Sequence, residues 1–253
     1  MKPDYRLTSA PEHYRDAIYQ SYLTGQGEES AETVGVHIGV RKAYCRRIIA
    51  EFFPPNRDAS ILELACGYGA LIHHARVAGY ENIRGVDISP EQVAAAHRAG
   101  VANVTQADCF EALAKEPNEN LDAVVSLDLI EHFSKPELCR LAGEIARVLK
   151  PTGRWIIHCP NGESPFCGSV RYGDFTHELC FTQHSLRQLL TAYRFSRIEC
   201  FEDGPIPHGF TSVVRLALWR TIHLTLRACM VIETGQIGAR PIFTQNLFCV
   251  AYK

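Results

Sequence analysis

The stretch Ile61-Leu-Glu-Leu-Ala-Cys-Gly-Tyr-Gly-Ala-Leu-Ile72 decides the fold of this chain. Its first four residues predict a short apolar strand that carries one carboxylate, Glu63. Gly67 and Gly69 predict a tight turn, because glycine adopts backbone conformations that other residues avoid and lets a ligand approach closely. A helix is predicted over 71–78, and the free N–H groups at its start face the turn. Open α/β sheets bind ligands at such strand ends.

The glycine turn fits two ligand classes unequally. A dinucleotide site needs a third glycine in the order Gly-x-Gly-x-x-Gly, and this chain has Ile72 at that position. A pyrophosphate also gains nothing from a carboxylate beside the turn, whereas a cationic ligand does. The turn therefore favours a cationic cofactor over a dinucleotide. An ordinary strand-to-helix loop without a ligand is the alternative.

Acidic residues recur at the ends of the strands that follow. Strands and helices alternate after residue 60 at the spacing of β-α-β units, which predicts a parallel sheet. The second predicted strand, over 83–88, brings Asp87 about 20 residues beyond the turn, where an acid accepts hydrogen bonds from ribose hydroxyls. A simple helix cap is the alternative for Asp87, since Pro90 opens the next helix. The third predicted strand, over 104–110, carries Asp108.

Several motifs in the same order resemble a known family. Glu63 and the glycines, in the frame Glu-x-x-x-Gly-x-Gly, resemble the first motif of class I S-adenosylmethionine-dependent methyltransferases, although that family usually has glycine in place of Ala65. Asp128-Leu-Ile-Glu-His-Phe133 resembles the fourth motif, and Leu149-Lys-Pro-Thr-Gly153 before an apolar strand is also typical. The resemblance implies a Rossmann-like α/β fold. It has a seven-stranded, mostly parallel sheet with an antiparallel last strand and helices on both faces.

The resemblance also implies S-adenosylmethionine as cofactor and S-adenosylhomocysteine as product. In the family, the acid at Asp108 accepts from the adenine amino group and the next backbone N–H meets the ring. Asp128 and Leu129 are expected close to the methyl group. The cofactor-binding residues predicted in this way are Glu63, Ala65, Cys66, Gly67, Gly69, Asp87, Ile88, Asp108, Cys109, Phe110, Asp128 and Leu129.

The stretch Arg171-Tyr-Gly-Asp-Phe-Thr-His-Glu178 is too polar for a core strand and is expected to meet the methyl acceptor. Methyl transfer to a hydroxyl needs a base within hydrogen-bond reach of the attacking oxygen, and histidine titrates in the right range. We therefore predict His177 as general base, oriented by Asp174 or Glu178. The predicted substrate contacts are Tyr172, His132 and His208.

Two alternatives for this polar stretch stay open. Its side chains also suit a hydrogen-bond cluster that only stabilises a loop. Asp174, His177 and Glu178 also suit a divalent metal, because carboxylate oxygens and imidazole nitrogens are common ligands. The site residues are nevertheless predicted to hold no metal.

Composition excludes several other classes of protein. The chain has 253 residues and 46% hydrophobic content, enough for one α/β domain with an appendage. A net charge of -2 provides no basic field for nucleic acid. Without a long apolar run or a secretory leader, the sequence predicts a cytoplasmic protein. Its ten cysteines contain no Cys-x-x-Cys pair, which favours free thiols over disulfides or zinc.

Three regions are predicted along the chain. Residues 1–55 form an N-terminal helical lid, with a short helix within 11–23, a loop over 24–30 and a helix over 40–53. A tyrosine from 14–22 is a candidate ligand contact. Residues 56–202 form the cofactor-binding core. Residues 203–253 add a helical insertion and a closing antiparallel strand.

The helix predicted over 211–231 has an unusually wide apolar face. Arg215, Arg220 and Arg227 share one side of it with His223, and apolar residues occupy the rest. Such a face packs against protein, a second subunit or a membrane interface. The sequence thus leaves open an intramolecular contact, a homodimer and contact with a membrane surface.

The predicted activity is methylation of a hydroxyl on a small-molecule acceptor. The stretches 172–190 and 233–253 look most like enzymes that methylate sugars or intermediates of bacterial glycan pathways, which suggests polysaccharide biosynthesis. Two alternatives remain. One is a non-catalytic protein that binds S-adenosylmethionine, and the other is a methyltransferase for a quinol or lipid-like acceptor at a membrane surface.

Overall fold

A seven-stranded sheet organises the protein. The computed structural model describes residues 14–20, 31–207, 209–238 and 240–253, and the predicted loop over 24–30 lies outside them. In this part of the chain the strands are β1 (Ile61–Leu64), β2 (Ile83–Asp87), β3 (Val104–Gln106), β4 (Leu121–Leu127), β5 (Leu149–Pro160), β6 (Arg197–Glu202) and β7 (Asn246–Tyr252).

The strand order is β3-β2-β1-β4-β5-β7-β6. β1 pairs in parallel with both β2 and β4, and β7 runs antiparallel to β5 and β6. The predicted fold class is therefore confirmed. The order reverses direction between β1 and β4, so their carboxyl ends open a crevice where such sheets bind ligands.

Helices connect these strands. They are α1 (Tyr14–Gln20), α2 (Ala31–Val40), α3 (Lys42–Phe52), α4 (Ala70–Val77), α5 (Pro90–Arg98), α6 (Cys109–Ala114), α7 (Lys135–Val148), α8 (Gly168–Arg171), α9 (Gln183–Ala192) and α10 (Phe210–Thr234). A short 3₁₀ helix, Ile130–His132, follows β4. The sequence did not predict α2.

The third strand is shorter than predicted. The prediction extended it over 104–110, but β3 ends at Gln106. The reason is local: the Asp108 carboxylate accepts hydrogen bonds from the backbone N–H of Phe110 at 2.7 Å and of Glu111 at 3.3 Å. This cap starts α6 and turns the chain out of the sheet.

The central strands are buried on both faces. Along β1 and β4, alternate side chains enter two separate hydrophobic clusters, because successive residues of a strand point to opposite faces. Leu62 and Val124 belong to one cluster, and Ile61 and Val125 to the other. Helices therefore cover both faces of the sheet, which holds the carboxyl ends of the strands in fixed positions.

Gly85 in β2 is expected to be essential for stability. A Cβ at this position would lie 2.7 Å from the Cβ of Cys66, in the glycine turn that follows β1. Gly85→Ala is therefore expected to lower the free energy of unfolding by about 1–3 kcal/mol in urea denaturation. The control is Gly39→Ala in α2, where nothing lies within 4 Å of the added carbon. Equal stability of Gly85→Ala and the wild type would contradict the close packing.

The long helix α10 is mostly exposed or half-buried, with Ser212 as its buried residue. Its exposed apolar side chains include Phe210, Val213, Leu218, Ile222 and Leu224. Among the described residues, no helix has the length and apolar character to cross a membrane. What covers α10, and the division into lid, core and insertion, stay predictions.

Candidate active site

A cavity of about 550 Å³ lies at the carboxyl ends of β1, β2 and β4. This volume suits a ligand of drug or cofactor size. The structure brings nine of the predicted cofactor-binding residues to its wall: Ala65, Gly67, Asp87, Ile88, Asp108, Cys109, Phe110, Asp128 and Leu129.

Asp87 holds the glycine turn in place. Its Oδ2 accepts from the backbone N–H of Gly67 at 2.8 Å, and its Oδ1 accepts from that of Ser89 at 2.9 Å. Burial raises the pKa of Asp87, and these two hydrogen bonds oppose that rise. The residue that caps α5 is Ser89, so the simple cap role considered for Asp87 is wrong.

The backbone of the turn explains its composition. Ala65, Gly67 and Gly69 all have positive φ, of 53°, 55° and 74°. This left-handed conformation favours glycine, which is why the family usually has glycine where this chain has Ala65. A Cβ on Gly69 would also lie 2.9 Å from the side chain of Val101.

Three predicted cofactor residues are not among those that line the cavity, namely Glu63, Cys66 and Gly69. Gly69 lies against Val101 and Val104, Cys66 packs against Gly85, and Glu63 is only 3% exposed inside β1. Burial, followed by the charge of Asp87, raises the pKa of Glu63 to about 8. Its Oε2 has no hydrogen-bond partner among the described residues. The sequence prediction that Glu63 binds the cofactor remains a prediction.

One side of the cavity is apolar and aromatic. Phe110 and Phe133 meet edge to face, with ring centroids 5.7 Å apart. The guanidinium of Arg140 lies 4.4 Å from the centroid of the Phe110 ring. Together with Asp108 and Cys109, these rings form a slot that suits a flat heterocycle.

A charged network that the sequence analysis missed supports Asp128. The Nδ1 of His158 lies 2.7 Å from Asp128 Oδ1, and its Nε2 lies 3.1 Å from Asp203 Oδ2. Burial alone would lower the pKa of His158, but the two carboxylates outweigh it and raise this pKa to about 10. The imidazole is therefore positively charged at neutral pH. A histidine inside the apolar run Trp155-Ile-Ile-His-Cys159 of β5 was the available signal.

His158→Gln is expected to lower the free energy of unfolding by about 2–4 kcal/mol near pH 6.5 and by much less near pH 10. The raised pKa of His158 means that its stabilising charge is fully present below about 6.5 and is lost as the pH rises toward 10. Urea denaturation of the wild type and the variant at both pH values measures the difference between their free energies of unfolding. A difference that does not change with pH would contradict the ion pairs of His158 with Asp128 and Asp203.

His132 also lines the cavity. Its Nδ1 lies 2.8 Å from Thr176 Oγ1, which itself donates to Asp174 Oδ1 at 2.6 Å. Because the hydroxyl proton of Thr176 points to Asp174, Nδ1 of His132 must donate to Thr176. Burial, and then the neighbouring His177, lower the pKa of His132 to about 4. His132 is therefore neutral, with an unprotonated Nε2.

His177 packs against His132 with ring centroids 4.7 Å apart, but it is not among the residues that line the cavity. Its Nδ1 lies 3.0 Å from the carbonyl oxygen of Val170 and donates to it. The sequence predicted that Asp174 or Glu178 orients this ring. That prediction is corrected here, because the backbone carbonyl holds Nδ1.

The two predicted carboxylates have other contacts. Asp174 accepts from the backbone and hydroxyl of Thr176, which fits the loop-stabilising alternative. Glu178 accepts from the Tyr14 hydroxyl at 2.6 Å and lies 3.6 Å from the Arg15 guanidinium. These two contacts of Glu178 join α1 to the segment 171–178.

Of the two remaining predicted substrate contacts, only Tyr172 belongs to the described residues. Tyr172 is 80% exposed and is not among the residues that line the cavity. His208 lies outside the described residues. The cavity wall also contains Tyr19, one of the tyrosines within 14–22 that were predicted as candidate ligand contacts. Other lining residues were not assigned from the sequence, among them Arg15, Ser89, Gln92, Phe133, Glu137 and Arg140.

The fold and the cavity agree with the comparison with known families. A family model described as a methyltransferase domain matches residues 38–199, which is more than half of the chain. The chain belongs to the methyltransferase-domain family. It is a class I S-adenosylmethionine-dependent methyltransferase. No curated protein matches its sequence.

Solved structures resemble this methyltransferase in fold. A SAM-dependent methyltransferase from Archaeoglobus fulgidus is 20% identical, with a TM-score of 0.64 over 95% of this chain and 100% of that chain. Phosphoethanolamine N-methyltransferase 2 from Haemonchus contortus, in complex with S-adenosyl-L-methionine, is 17% identical. Its TM-score is 0.61, and the match covers 93% of this chain and 60% of that chain. A methyltransferase from Mesorhizobium loti is 15% identical, with a TM-score of 0.53 over 82% of this chain and 96% of that chain.

The cofactor of the methyltransferase is S-adenosylmethionine, and the product is S-adenosylhomocysteine. The residues present fit it. Asp87 and Asp108 line the cavity beside the aromatic slot, and Asp128 lies at the end of β4. Acidic side chains at three strand ends suit the hydroxyls, the amino groups and the positive charge of this cofactor.

Proposed function

We propose that this methyltransferase transfers the methyl group to a hydroxyl of a small-molecule acceptor, a sugar or an intermediate of a glycan pathway. The observation that carries the proposal is the pair of neighbouring imidazoles, His132 and His177. Each donates Nδ1–H in a hydrogen bond, so in the neutral form of each ring the lone pair is on Nε2. Because a hydroxyl must lose its proton to be methylated, a neutral imidazole beside the cavity suits this acceptor.

The donor side depends on residues that hold the cofactor. Asp87 and Asp108 bind its ribose and adenine, and the Phe110 slot encloses the ring. Asp128, held ionised by His158, lies near the sulfonium end. The cofactor supplies an activated methyl group on a positively charged sulfur, so the protein mainly aligns the acceptor with it.

On the acceptor side, His177 is the proposed general base. The carbonyl of Val170 fixes its tautomer, so that Nε2 accepts the hydroxyl proton. His132, which lines the cavity and packs against this ring, positions the acceptor. Asp174 and Glu178 hold the surrounding segment rather than the base itself.

The N-terminal helix is proposed to close the site. Arg15 of α1 lies 3.2 Å from Glu137 of α7 and 3.6 Å from Glu178. Tyr19 lines the cavity, and burial raises its pKa to about 12. These contacts support a lid role for α1, in which it would exclude water from the reaction.

The proposed biological setting follows from composition and surface. Free thiols at all ten cysteines suit a reducing compartment such as the cytoplasm. The exposed apolar side chains of α10, with Arg215, Arg220 and Arg227, suit a second copy of the chain or an anionic membrane surface. The latter would favour a lipid-linked sugar or a quinol as acceptor.

Calorimetric titration with S-adenosylmethionine and S-adenosylhomocysteine, with NAD as control, tests the donor site first. We expect binding of the first two and none of NAD. Transfer of a labelled methyl group to a panel of sugars, quinols and amines then tests the acceptor. Labelling of amines alone would contradict a hydroxyl acceptor.

A further inference from the structure

A buried carboxylate beside the two imidazoles has no partner among the described residues. Glu131, in the 3₁₀ helix after β4, is 0% exposed, and neither Oε1 nor Oε2 has a hydrogen bond. An ionisable side chain removed from water is costly unless it is paired or binds a metal. Its backbone is well anchored, because its carbonyl oxygen accepts from the N–H groups of Glu178 and Leu179 at 2.8 and 3.0 Å.

Glu131, His132 and His177 each offer one ligand atom, and these atoms all lie within 4.8 Å of one another. We propose that these three side chains form a binding site for a divalent transition-metal ion at the acceptor end of the cavity. Bonds to such an ion are ~2.0–2.2 Å long, so small side-chain rotations would bring the three atoms onto it. The set predicted from sequence, Asp174, His177 and Glu178, shares only His177 with this site.

The hydrogen bonds around the two histidines support this proposal. A metal-binding histidine usually donates its second ring N–H to a carbonyl or another oxygen, which fixes the ring for coordination. His132 donates Nδ1–H to Thr176, and His177 donates Nδ1–H to the carbonyl of Val170. Both Nε2 atoms are therefore ready to coordinate. Thr176 is held in turn by Asp174.

Two imidazoles and one carboxylate favour particular ions. Imidazole suits Zn²⁺, Fe²⁺, Co²⁺ and Ni²⁺, whereas Mg²⁺ and Ca²⁺ prefer sites made of oxygen ligands. Three protein ligands also leave positions for a substrate. The site is therefore specific for a first-row transition ion that also takes an acceptor oxygen.

A role of the ion in methyl transfer rests on the proposed function, methylation of a hydroxyl. Binding of the ion to the three side chains does not depend on that function. An acceptor hydroxyl bound to the ion has a lowered pKa and releases its proton to water. Its oxygen then forms the C–O bond while the C–S bond breaks and sulfur keeps the electron pair. With the ion bound, His177 is a ligand and no longer the base.

Titration of the metal-depleted full-length chain with Co²⁺ tests the site. We expect saturation at one equivalent, a visible spectrum of nitrogen and oxygen ligands without a thiolate band, and a raised melting temperature. Glu131→Gln and His177→Gln should each weaken binding by more than the roughly 10–100-fold typical of losing a supporting hydrogen bond. The matched control, His184→Gln, changes an exposed histidine on α9 and should leave binding unchanged.

Absence of Co²⁺ binding, a thiolate spectrum or unchanged affinity in both variants would overturn the site. Mg²⁺ should not compete at equal concentration. Binding of S-adenosylhomocysteine to the same samples reports the donor site separately. A chain that binds this product but no Co²⁺ would therefore refute the metal site and leave the methyltransferase assignment intact.

Discussion

Asp87→Ala is expected to weaken binding of S-adenosylmethionine and S-adenosylhomocysteine by at least about 100-fold. A carboxylate that accepts hydrogen bonds from ribose hydroxyls contributes about 1.5–3 kcal/mol for each bond, and each oxygen of Asp87 has a further lone pair beyond its backbone bond. The substitution also frees the Gly67 N–H, which loosens the turn. Both effects act on the cofactor side of the cavity.

Calorimetric titration with S-adenosylhomocysteine measures this loss. Asp58→Ala is the matched control, because Asp58 is an exposed aspartate in the loop before β1. Circular dichroism confirms that each variant is folded. Affinity equal to that of the wild type would show that Asp87 only anchors the turn and does not bind the cofactor.

His177→Ala is expected to slow methyl transfer by about 100-fold or more while cofactor affinity changes little. A positioned general base contributes roughly 10²–10⁴-fold to the rate. His177 packs against His132 and is not among the residues that line the cavity, so its loss should spare the donor site. A metal ligand at the same position would give the same loss of rate, and the Co²⁺ titration separates the two roles.

Single-turnover kinetics with a saturating acceptor measure this effect, and His184→Ala on α9 is the control. A fall of only a few fold in His177→Ala would leave His177 with a structural role in its loop. Parallel loss of S-adenosylhomocysteine binding would show that the substitution disturbs the whole site.

The strands and the glycine turn could be predicted because their signals are local. The apolar run of β1 and the two glycines set backbone conformation over a few residues, and the predicted helix over 71–78 is observed as Ala70–Val77. Asp87 was predicted from spacing along one β-α-β unit. The third strand was predicted too long because a capping side chain, Asp108, competes with strand pairing.

The acceptor end could not be predicted in the same way. The sequence grouped Asp174, His177 and Glu178 because they are neighbours along the chain. In the structure, His177 instead meets Glu131 and His132, and Glu178 turns toward α1. Neighbouring residues in an irregular segment point in different directions, so their proximity in sequence says little about a shared site.

The sequence by itself determined the family, the α/β sheet and the cofactor edge, since strand and turn propensities act within short windows. Only the tertiary structure decided which acids and histidines share a site. The bridge from Asp128 through His158 to Asp203 joins β4, β5 and the segment after β6. Such contacts form when parallel strands bring their carboxyl ends to one edge, and no local pattern in the chain encodes them.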